Sequence, residues 1–355
     1  MMGGKRTEII VGPVGMQSPH PYRRPHVELY EEFAEQAEYA EALGFDGIAL
    51  TEHSFWYDGY CPSLLPGIAA IAQRTQHLKL MTGALLLPQH DPLKVAEEAA
   101  VVDRLSNGRL ILGFGVGYRP EEFLGHGVPN ERRAGRMLEA YEVVRLALSE
   151  ETFSFHGDFY HYDDVSLATR PIQDQVPMWV CGSHASWAPK ASGRRGWAFC
   201  TTGDMDGDGG AIFETYEAAG LKAGHEKSDL RRGLFRDVMV MPSEHEAVAL
   251  AEEDYWPAFN DQFLGFGFLD FKNPDGSQMT ELPQFMKDMV LENPRNPVGR
   301  PASVRERLLP LLGMDLDLFL VRLSWANFKH ERVLRTMETF AREVMPMFRE
   351  EEGRA

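Results

Sequence analysis

The chain has 355 residues, of which 44% are hydrophobic and 25% charged, a composition typical of a soluble globular protein. Its net charge of −17 argues against nucleic acid as a partner, because a phosphate backbone requires a basic surface. No apolar run approaches the roughly 20 residues of a membrane helix, and residues 1–6 lack the apolar core of a signal peptide, so we expect a cytoplasmic protein that is not bound to membranes.

Short apolar runs alternate with amphipathic segments along most of the chain. The runs are rich in Leu, Ile and Val, which is typical of parallel strands covered on both faces. The predicted strands are residues 7–14, 45–51, 78–87, 109–116, 176–181, 197–201, 234–241 and 316–323. The predicted helices are residues 28–43, 64–73, 92–105, 132–148, 186–192, 213–225, 243–256, 303–312 and 331–348.

Eight strands, each followed by a helix, predict an α/β fold of the (β/α)8 TIM-barrel type with insertions. One insertion is a small hairpin at residues 153–162, and the other is a long irregular loop at about 257–298. No change of composition divides the chain, so we expect a single domain over residues 1–355. In such barrels the chemistry lies at the carboxyl ends of the strands.

Two polar strand ends are candidates for chemistry. His53 follows the second strand beside Glu52 and could relay a proton near neutral pH; the alternative is a rim histidine bonded to a backbone carbonyl. Gly182 and Ser183 end the fifth strand, where backbone N–H groups and a helix dipole favour an anion such as phosphate. Ser186, one turn further on, could add a donor. Ser183 could equally be a helix N-cap, and the two roles are compatible.

Two glycine-containing stretches carry less obvious information. Residues 113–117 (GFGVG) suggest a dinucleotide-binding loop, but Glu121 and Glu122 follow where a phosphate would lie, so this interpretation is rejected. These glycines are better explained by close approach of the backbone to a flat ligand or another loop. Gly83-Ala84 lies within an apolar strand, where a glycine marks a bulge, a close ligand or tight packing.

Metal and disulfide chemistry are not indicated. The three cysteines, Cys61, Cys181 and Cys200, are odd in number and lack a Cys-x-x-Cys spacing, so we expect no metal. The aromatic stretch at 255–271 has two interpretations: burial over the barrel, or a mobile lid that excludes water from an apolar cavity.

Several stretches together resemble the bacterial luciferase-like flavin monooxygenase family. They occur in family order and are GFDGIALTEH (44–53), LKLMTGALLLPQHDPLKVAEEAAVVDRLSNGRLILGFGVGY (78–118), EEFLGHG (121–127), PMWVCGS (177–183) and NPVGRP (296–301). The resemblance implies a barrel that binds reduced FMN, or in one branch a deazaflavin, at its carboxyl rim. It also implies that residues 257–298 match a disordered or mobile loop.

The resemblance also implies roles for individual residues. His53 matches a histidine near the reactive edge of the flavin, and Glu52 precedes it. Gly83-Ala84 matches a non-prolyl cis peptide against the isoalloxazine ring. Gly182, Ser183 and Ser186 match the phosphate-binding strand end. Where the luciferases carry a cysteine and an arginine, this chain has Gly115 and Val116, so light emission is not implied. The loss of that arginine removes one phosphate charge, which Arg133 or Arg136 could replace. The glycine stretch that contains Gly115 is interpreted as a wall beside the ring.

We therefore predict a two-component monooxygenase. Reduced FMN from a flavin reductase would react with O2 to give a C4a-(hydro)peroxide that oxidises a small organic substrate, and His53 would stabilise it or move a proton. Apolar substrate bulk is suggested by Phe55, Trp56, Tyr57 and Tyr60. The alternatives are a deazaflavin-dependent hydride-transfer oxidoreductase, for which Arg194-Arg195 could bind the cofactor tail, and a non-catalytic flavin-binding subunit. A homodimer is expected by analogy.

Overall fold

The computed structural model describes residues 6–19, 24–182, 187–203, 209–265, 272–273, 275–292, 296–326 and 328–349. Within them, eight parallel strands close into a barrel: β1 Glu8–Val14, β2 Gly47–Leu50, β3 Lys79–Thr82, β4 Leu110–Phe114, β7 Met178–Gly182, β8 Ala198–Thr201, β9 Arg232–Asp237 and β12 Leu318–Arg322. Their order around the barrel is β1–β12–β9–β8–β7–β4–β3–β2. The predicted (β/α)8 fold is confirmed, and each predicted strand overlaps one barrel strand.

Helices surround the barrel. They are α1 His26–Leu43, α2 Leu64–Ala72, α3 Pro92–Leu105, α4 Pro120–Gly125, α5 Arg133–Ser149, α6 Ala188–Arg195, α7 Gly210–Lys222, α8 Glu244–Leu250, α9 Trp256–Gly265, α10 Gln284–Glu292, α11 Pro301–Leu308 and α12 His330–Thr339. Short π-helical turns follow α8 (Ala251–Tyr255) and α12 (Phe340–Val344), and 3-10 turns lie at Leu87–Gln89, Lys227–Asp229, Leu309–Met314 and Met345–Phe348. Among the described residues, no helix is long and apolar enough to cross a bilayer.

Local signals define the helix ends that lead to and from the rim. Helix α3 begins at Pro92, whose missing N–H is not needed in a first turn, and the Asp91 side chain accepts a hydrogen bond from the Lys94 N–H at 2.9 Å. Helix α1 ends at Gly44, which has φ +80°. These ends correspond to the sequence prediction.

The core has two parts, as the apolar strands require. One cluster fills the barrel interior and takes a side chain from almost every strand: Ile10, Ala49, Met81, Ile111, Trp179, Cys200, Leu318 and Leu320, with Phe235 packed against them. The larger cluster lies between the strands and the helices. Both faces of the strands are therefore buried, and the side chains free to react are those at the strand ends.

The two predicted insertions have different outcomes. The hairpin is confirmed as β5 (Phe153–His156) paired antiparallel with β6 (His161–Val165). The prediction of an irregular loop at 257–298 is wrong for most of its described part, because α9, α10 and the short strand β11 (Val298–Gly299) lie there, and β11 pairs with β10 (Met239–Val240). Tyr255 and Trp256 are buried, which favours the core interpretation of the aromatic stretch; residues 266–271 lie outside the described part.

Candidate active site

The end of β3 carries the most unusual backbone at the carboxyl rim. The Gly83–Ala84 peptide bond is cis although Ala84 is not a proline, which confirms the geometry that the family resemblance implied. The Gly83 N–H donates to the Leu50 carbonyl at 2.7 Å, and the Leu85 N–H donates to the Gly113 carbonyl at 2.8 Å. This segment is therefore held on one side by β2 and on the other by β4.

The glycines of β4 and its following loop allow that close approach. A Cβ on Gly113 would lie 2.2 Å from the Thr82 carbonyl oxygen, which no side chain tolerates, and a Cβ on Gly115 would lie 3.2 Å from the Ala84 Cβ. The hydroxyl of Thr82 also exchanges hydrogen bonds of 2.8–2.9 Å with the Gly113 backbone. The absence of a side chain at Gly113 and Gly115 lets this segment contact the end of β3 closely, so Gly115 forms one wall together with Ala84.

His53 lies at the end of β2 and is fixed from both ring nitrogens. Its Nδ1 is 2.8 Å from Glu122 Oε1, and because a carboxylate only accepts, Nδ1–H is the donor. Its Nε2 is 3.2 Å from the Tyr118 hydroxyl. Tyr60 packs edge-on against the imidazole with ring centroids 4.9 Å apart. Both ring nitrogens thus have side-chain partners within the described residues, which disfavours the alternative of a rim histidine bonded to a backbone carbonyl.

Glu122 organises this network from the first turn of α4 and is fully buried. Besides His53 it accepts from the Ser54 N–H at 3.1 Å, from Arg119 Nη1 at 3.2 Å and from Gln89 Nε2 at 3.3 Å. Burial alone would raise the pKa of Glu122, but the hydrogen bond and charge of His53, helped by Gln89 and Arg119, hold it below its ordinary value. The carboxylate is thus an ionised anchor that sets the His53 tautomer.

Sequence reasoning missed this role of Glu122. In the sequence, Glu121 and Glu122 indicate only negative charges that would repel a phosphate. In the structure, the Glu121 side chain is exposed and the Glu122 side chain is buried. The available signal was the EEFLGHG stretch, which carried the resemblance without an assigned chemistry. Only the fold brings a residue 69 positions along the chain to His53.

Two buried tyrosines complete the surroundings of the imidazole. Burial raises the pKa of Tyr118 well above its ordinary value and raises that of Tyr60 to about 12. Both hydroxyls therefore stay protonated near neutral pH, and that of Tyr118 lies within hydrogen-bond distance of His53 Nε2. Of the four aromatic residues suggested for a substrate cavity, Tyr60 packs against the imidazole and the Trp56 ring centroid lies 4.6 Å from the Cζ of Arg119 in the Glu122 network, whereas Phe55 and Tyr57 are exposed.

Glu52 supports the loop that follows the cis peptide. Its Oε1 accepts from the Leu86 N–H at 2.6 Å and from His90 Nε2 at 2.9 Å. Its Oε2 is buried and has no hydrogen-bond partner among the residues the structure describes. Burial alone would lower the pKa of His90, but the hydrogen bond that His90 donates to Glu52 and the negative charge of that carboxylate together raise it.

The predicted phosphate site is only partly described. Gly182 ends β7, and a Cβ there would lie 3.1 Å from that of Ala188; Ser183 and Ser186 lie outside the described residues. Arg136, in the first turn of α5, stacks on Phe159 at 4.8 Å, and its buried Nε has no partner within the described chain.

The basic pair proposed for a deazaflavin tail lies at the wrong end of the barrel. Arg194 and Arg195 form the last turn of α6, which runs back from the end of β7 toward the start of β8. Arg195 donates to the Ala191 carbonyl at 3.1 Å and stacks on Trp197. Because (β/α)8 sites occupy the carboxyl rim, these arginines cannot reach a cofactor there, and that assignment is wrong.

The remaining features fit a planar cofactor with an anionic tail. Gly83, Ala84 and Gly115 form a wall without polar side chains, and the unpartnered Arg136 Nε provides a donor at the same rim. Over the described ranges, no three His, Cys, Asp or Glu side chains converge as a metal site.

The chain is similar to known flavin-dependent monooxygenases. A family profile described as luciferase-like monooxygenase matches residues 14–312. The chain is 28% identical over 293 residues to an FMNH2-dependent dimethylsulfone monooxygenase of Pseudomonas putida, covering 79% of this chain and 77% of that one. It is 25% identical over 342 residues to the oxygenase component of a flavin-dependent trigonelline monooxygenase of Acinetobacter baylyi, covering 91% of both.

The fold agrees as well. The crystal structure of the monooxygenase RslO1 from Streptomyces bottropensis superposes with a TM-score of 0.82 at 23% identity, covering 96% of this chain and all of that one. Since the family profile spans most of the sequence, the chain belongs to the luciferase-like monooxygenase family of oxidoreductases.

Proposed function

We propose that this protein is the oxygenase component of a two-component system that uses reduced FMN and O2 to oxidise a small organic molecule. The observation that carries the proposal is the buried His53–Glu122 pair beside the close contact of Ala84 with Gly115, at the ends of neighbouring strands. The relatives that are named as FMNH2-dependent or as an oxygenase component support the same reaction class.

In this proposal the bound flavin supplies the oxygen chemistry. The protein positions the flavin and the substrate, excludes water from the site and provides a path for a proton. Gly83, Ala84 and Gly115 form the wall for the ring, while Gly182, with Ser183, Ser186 and Arg136, holds the phosphate. Glu52 keeps the loop after the cis peptide in place through Leu86. Burial of the surrounding side chains excludes water, which protects reactive species from side reactions.

His53 is proposed as the catalytic residue. Glu122 fixes the proton on Nδ1, so Nε2 is left to exchange a proton with the Tyr118 hydroxyl or with a reacting group that displaces it. This geometry also disfavours the alternative of a non-catalytic flavin-binding subunit, because a buried, ionised Glu122 is costly to maintain without a use.

The cofactor assignment is tested by anaerobic titration of the purified protein with reduced FMN and, separately, with a reduced deazaflavin. We expect tighter binding of reduced FMN and a transient change in flavin absorption when oxygen is admitted. Preferential deazaflavin binding without reaction with oxygen would support the hydride-transfer alternative instead. We also propose that a separate reductase supplies the reduced FMN, that the protein is a homodimer and that it is cytoplasmic.

A further inference from the structure

A largely buried ion pair of Arg322 and Asp237, with side chains 18% and 9% exposed, lies on the wall of the barrel mouth. Arg322 ends β12 and is the register partner of Asp237 at the end of β9. Its Nε and Nη2 donate to the two carboxylate oxygens of Asp237 at 2.6 and 2.9 Å, and the Tyr255 hydroxyl donates to the same carboxylate at 3.2 Å. The guanidinium is flanked by Phe235 and Trp325, with 5.2 and 5.6 Å to the ring centroids.

This packing fixes the guanidinium and leaves one group unused. The bidentate pair through Nε and Nη2 fixes the orientation of the planar guanidinium, whereas Nη1 has no hydrogen-bond partner among the described residues. A donor that is so well oriented loses little conformational entropy when it binds an acceptor. The carboxylate of Asp237 compensates the charge, so the pair presents an N–H donor rather than a net cation.

The position of Arg322 points to the substrate rather than to the flavin wall. In the closed order of eight strands, β12 is four strands from β4, and the two therefore face each other across the mouth. Two residues earlier on β12, Leu320 lies 3.5 Å from a Cβ built on Gly83. Arg322 shares the inward face with Leu320 and stands about 7 Å higher along the strand.

Arg322 also lies close to a residue that contacts the catalytic group. It lines a cavity together with Tyr60, which packs against His53. A molecule lying over the wall formed by Gly83, Ala84 and Gly115 would thus have His53 on one side and Arg322 opposite the wall.

We propose that Arg322, oriented by Asp237, determines specificity by donating a hydrogen bond to a neutral oxygen acceptor of the substrate, such as a ketone or sulfone oxygen. A substrate carboxylate is disfavoured because it would lie beside the negative charge of Asp237, and a hydrocarbon substrate would leave the Arg322 N–H donor without a hydrogen bond. The inference rests on the proposed function, since it assumes that a substrate lies over a flavin in this mouth.

The test uses FMN-loaded protein and three probes of similar shape. Cyclohexanone offers a neutral acceptor, methylenecyclohexane offers none, and cyclohexanecarboxylate is anionic. Dissociation constants are measured from the change in the absorption of bound oxidised FMN. We expect cyclohexanone to bind at least about tenfold more tightly than either other probe, which corresponds to about 1.4 kcal/mol.

The variant Arg322→Met/Asp237→Asn removes the donor without leaving a buried carboxylate unpaired, and we expect it to lose the preference while keeping its melting temperature within a few degrees. Arg231→Met is the matched control, because Arg231 also pairs with an aspartate and stacks on a tryptophan, but at the opposite end of the barrel. It should keep the preference.

Three results would overturn the inference: no preference in the wild type, an unchanged preference in the double variant, or a loss of FMN affinity in that variant, which would assign Arg322 to the flavin. Failure of the wild type to bind FMN at all would instead contradict the proposed function. The two failures are thus distinguishable.

Discussion

Replacing Glu122 with Gln tests the anchor of the proposed catalytic histidine. The change keeps the shape of the side chain and removes its charge. Three donors converge on Oε1: His53 Nδ1, the Ser54 N–H and Arg119 Nη1. A hydrogen bond to a charged group is worth about 1 kcal/mol more than a neutral one, so three such bonds predict a destabilisation of about 3 kcal/mol at pH 7. This agrees with the roughly 3–5 kcal/mol reported for breaking a buried ion pair.

The pH dependence of this loss has a definite sign. The pKa of Glu122 is lowered in the folded protein, so its charge stabilises the fold above the unfolded-state pKa of about 4.3. That stability is lost as the pH falls through the lower folded-state pKa. The difference between wild type and Glu122→Gln should therefore be largest above about pH 5 and shrink toward acid.

Urea unfolding at pH 7 and at pH 4 measures both quantities. Glu121→Gln is the matched control, since the neighbouring carboxylate is exposed and its loss should change the free energy of unfolding by less than about 0.5 kcal/mol. Equal stabilities of the two variants at pH 7, or a difference that grows toward acid, would refute the assignment of Glu122 as a buried, ionised anchor.

Three further predictions concern the rim and the opposite end of the barrel. The pKa of His90 is raised in the folded protein, so its ion pair with Glu52 stabilises the fold below about pH 6.5, and this stability is lost as the pH rises through the folded-state pKa. His90→Gln should therefore lower the melting temperature at pH 6 and have little effect at pH 9. An equal loss at both pH values would contradict this. Gly115→Val fills the wall, where even a Cβ has only 3.2 Å to its neighbour, and should weaken FMN binding by at least about tenfold in a fluorescence titration. Gly313→Val, placed in open space, is its control, and equal FMN affinities would argue against a flavin on this wall. Replacing Arg194 and Arg195 together with Ser should leave flavin affinity unchanged, and a loss would restore them as cofactor ligands.

The barrel was predictable because its signals are local and repeated. Apolar runs such as Leu110–Phe114 are buried on both faces, and the Asp91-Pro92 start of α3 is a helix N-terminus in the sequence itself. The cis peptide at Gly83–Ala84 followed from the family resemblance, since nothing in the composition of that strand indicates it.

The parts that escaped prediction depend on distant contacts. Glu122 is an acidic residue in a first helical turn, a position that usually means a solvated charge; only the fold turns it onto His53. The segment around Trp256–Gly265 contains Pro and Gly and reads as a loop, yet it is helical and packs its aromatic side chains against the core. Tertiary burial there outweighs local propensity.

The most direct measurement of the central claim is a crystal structure of the protein with FMN bound. The account predicts the isoalloxazine ring against the Gly83–Ala84 peptide and Gly115, the phosphate at the end of β7 near Gly182, and the His53 Nε2 directed at the reactive edge of the ring. FMN found elsewhere, or bound with its ring away from this wall and beyond hydrogen-bond reach of His53, would contradict it.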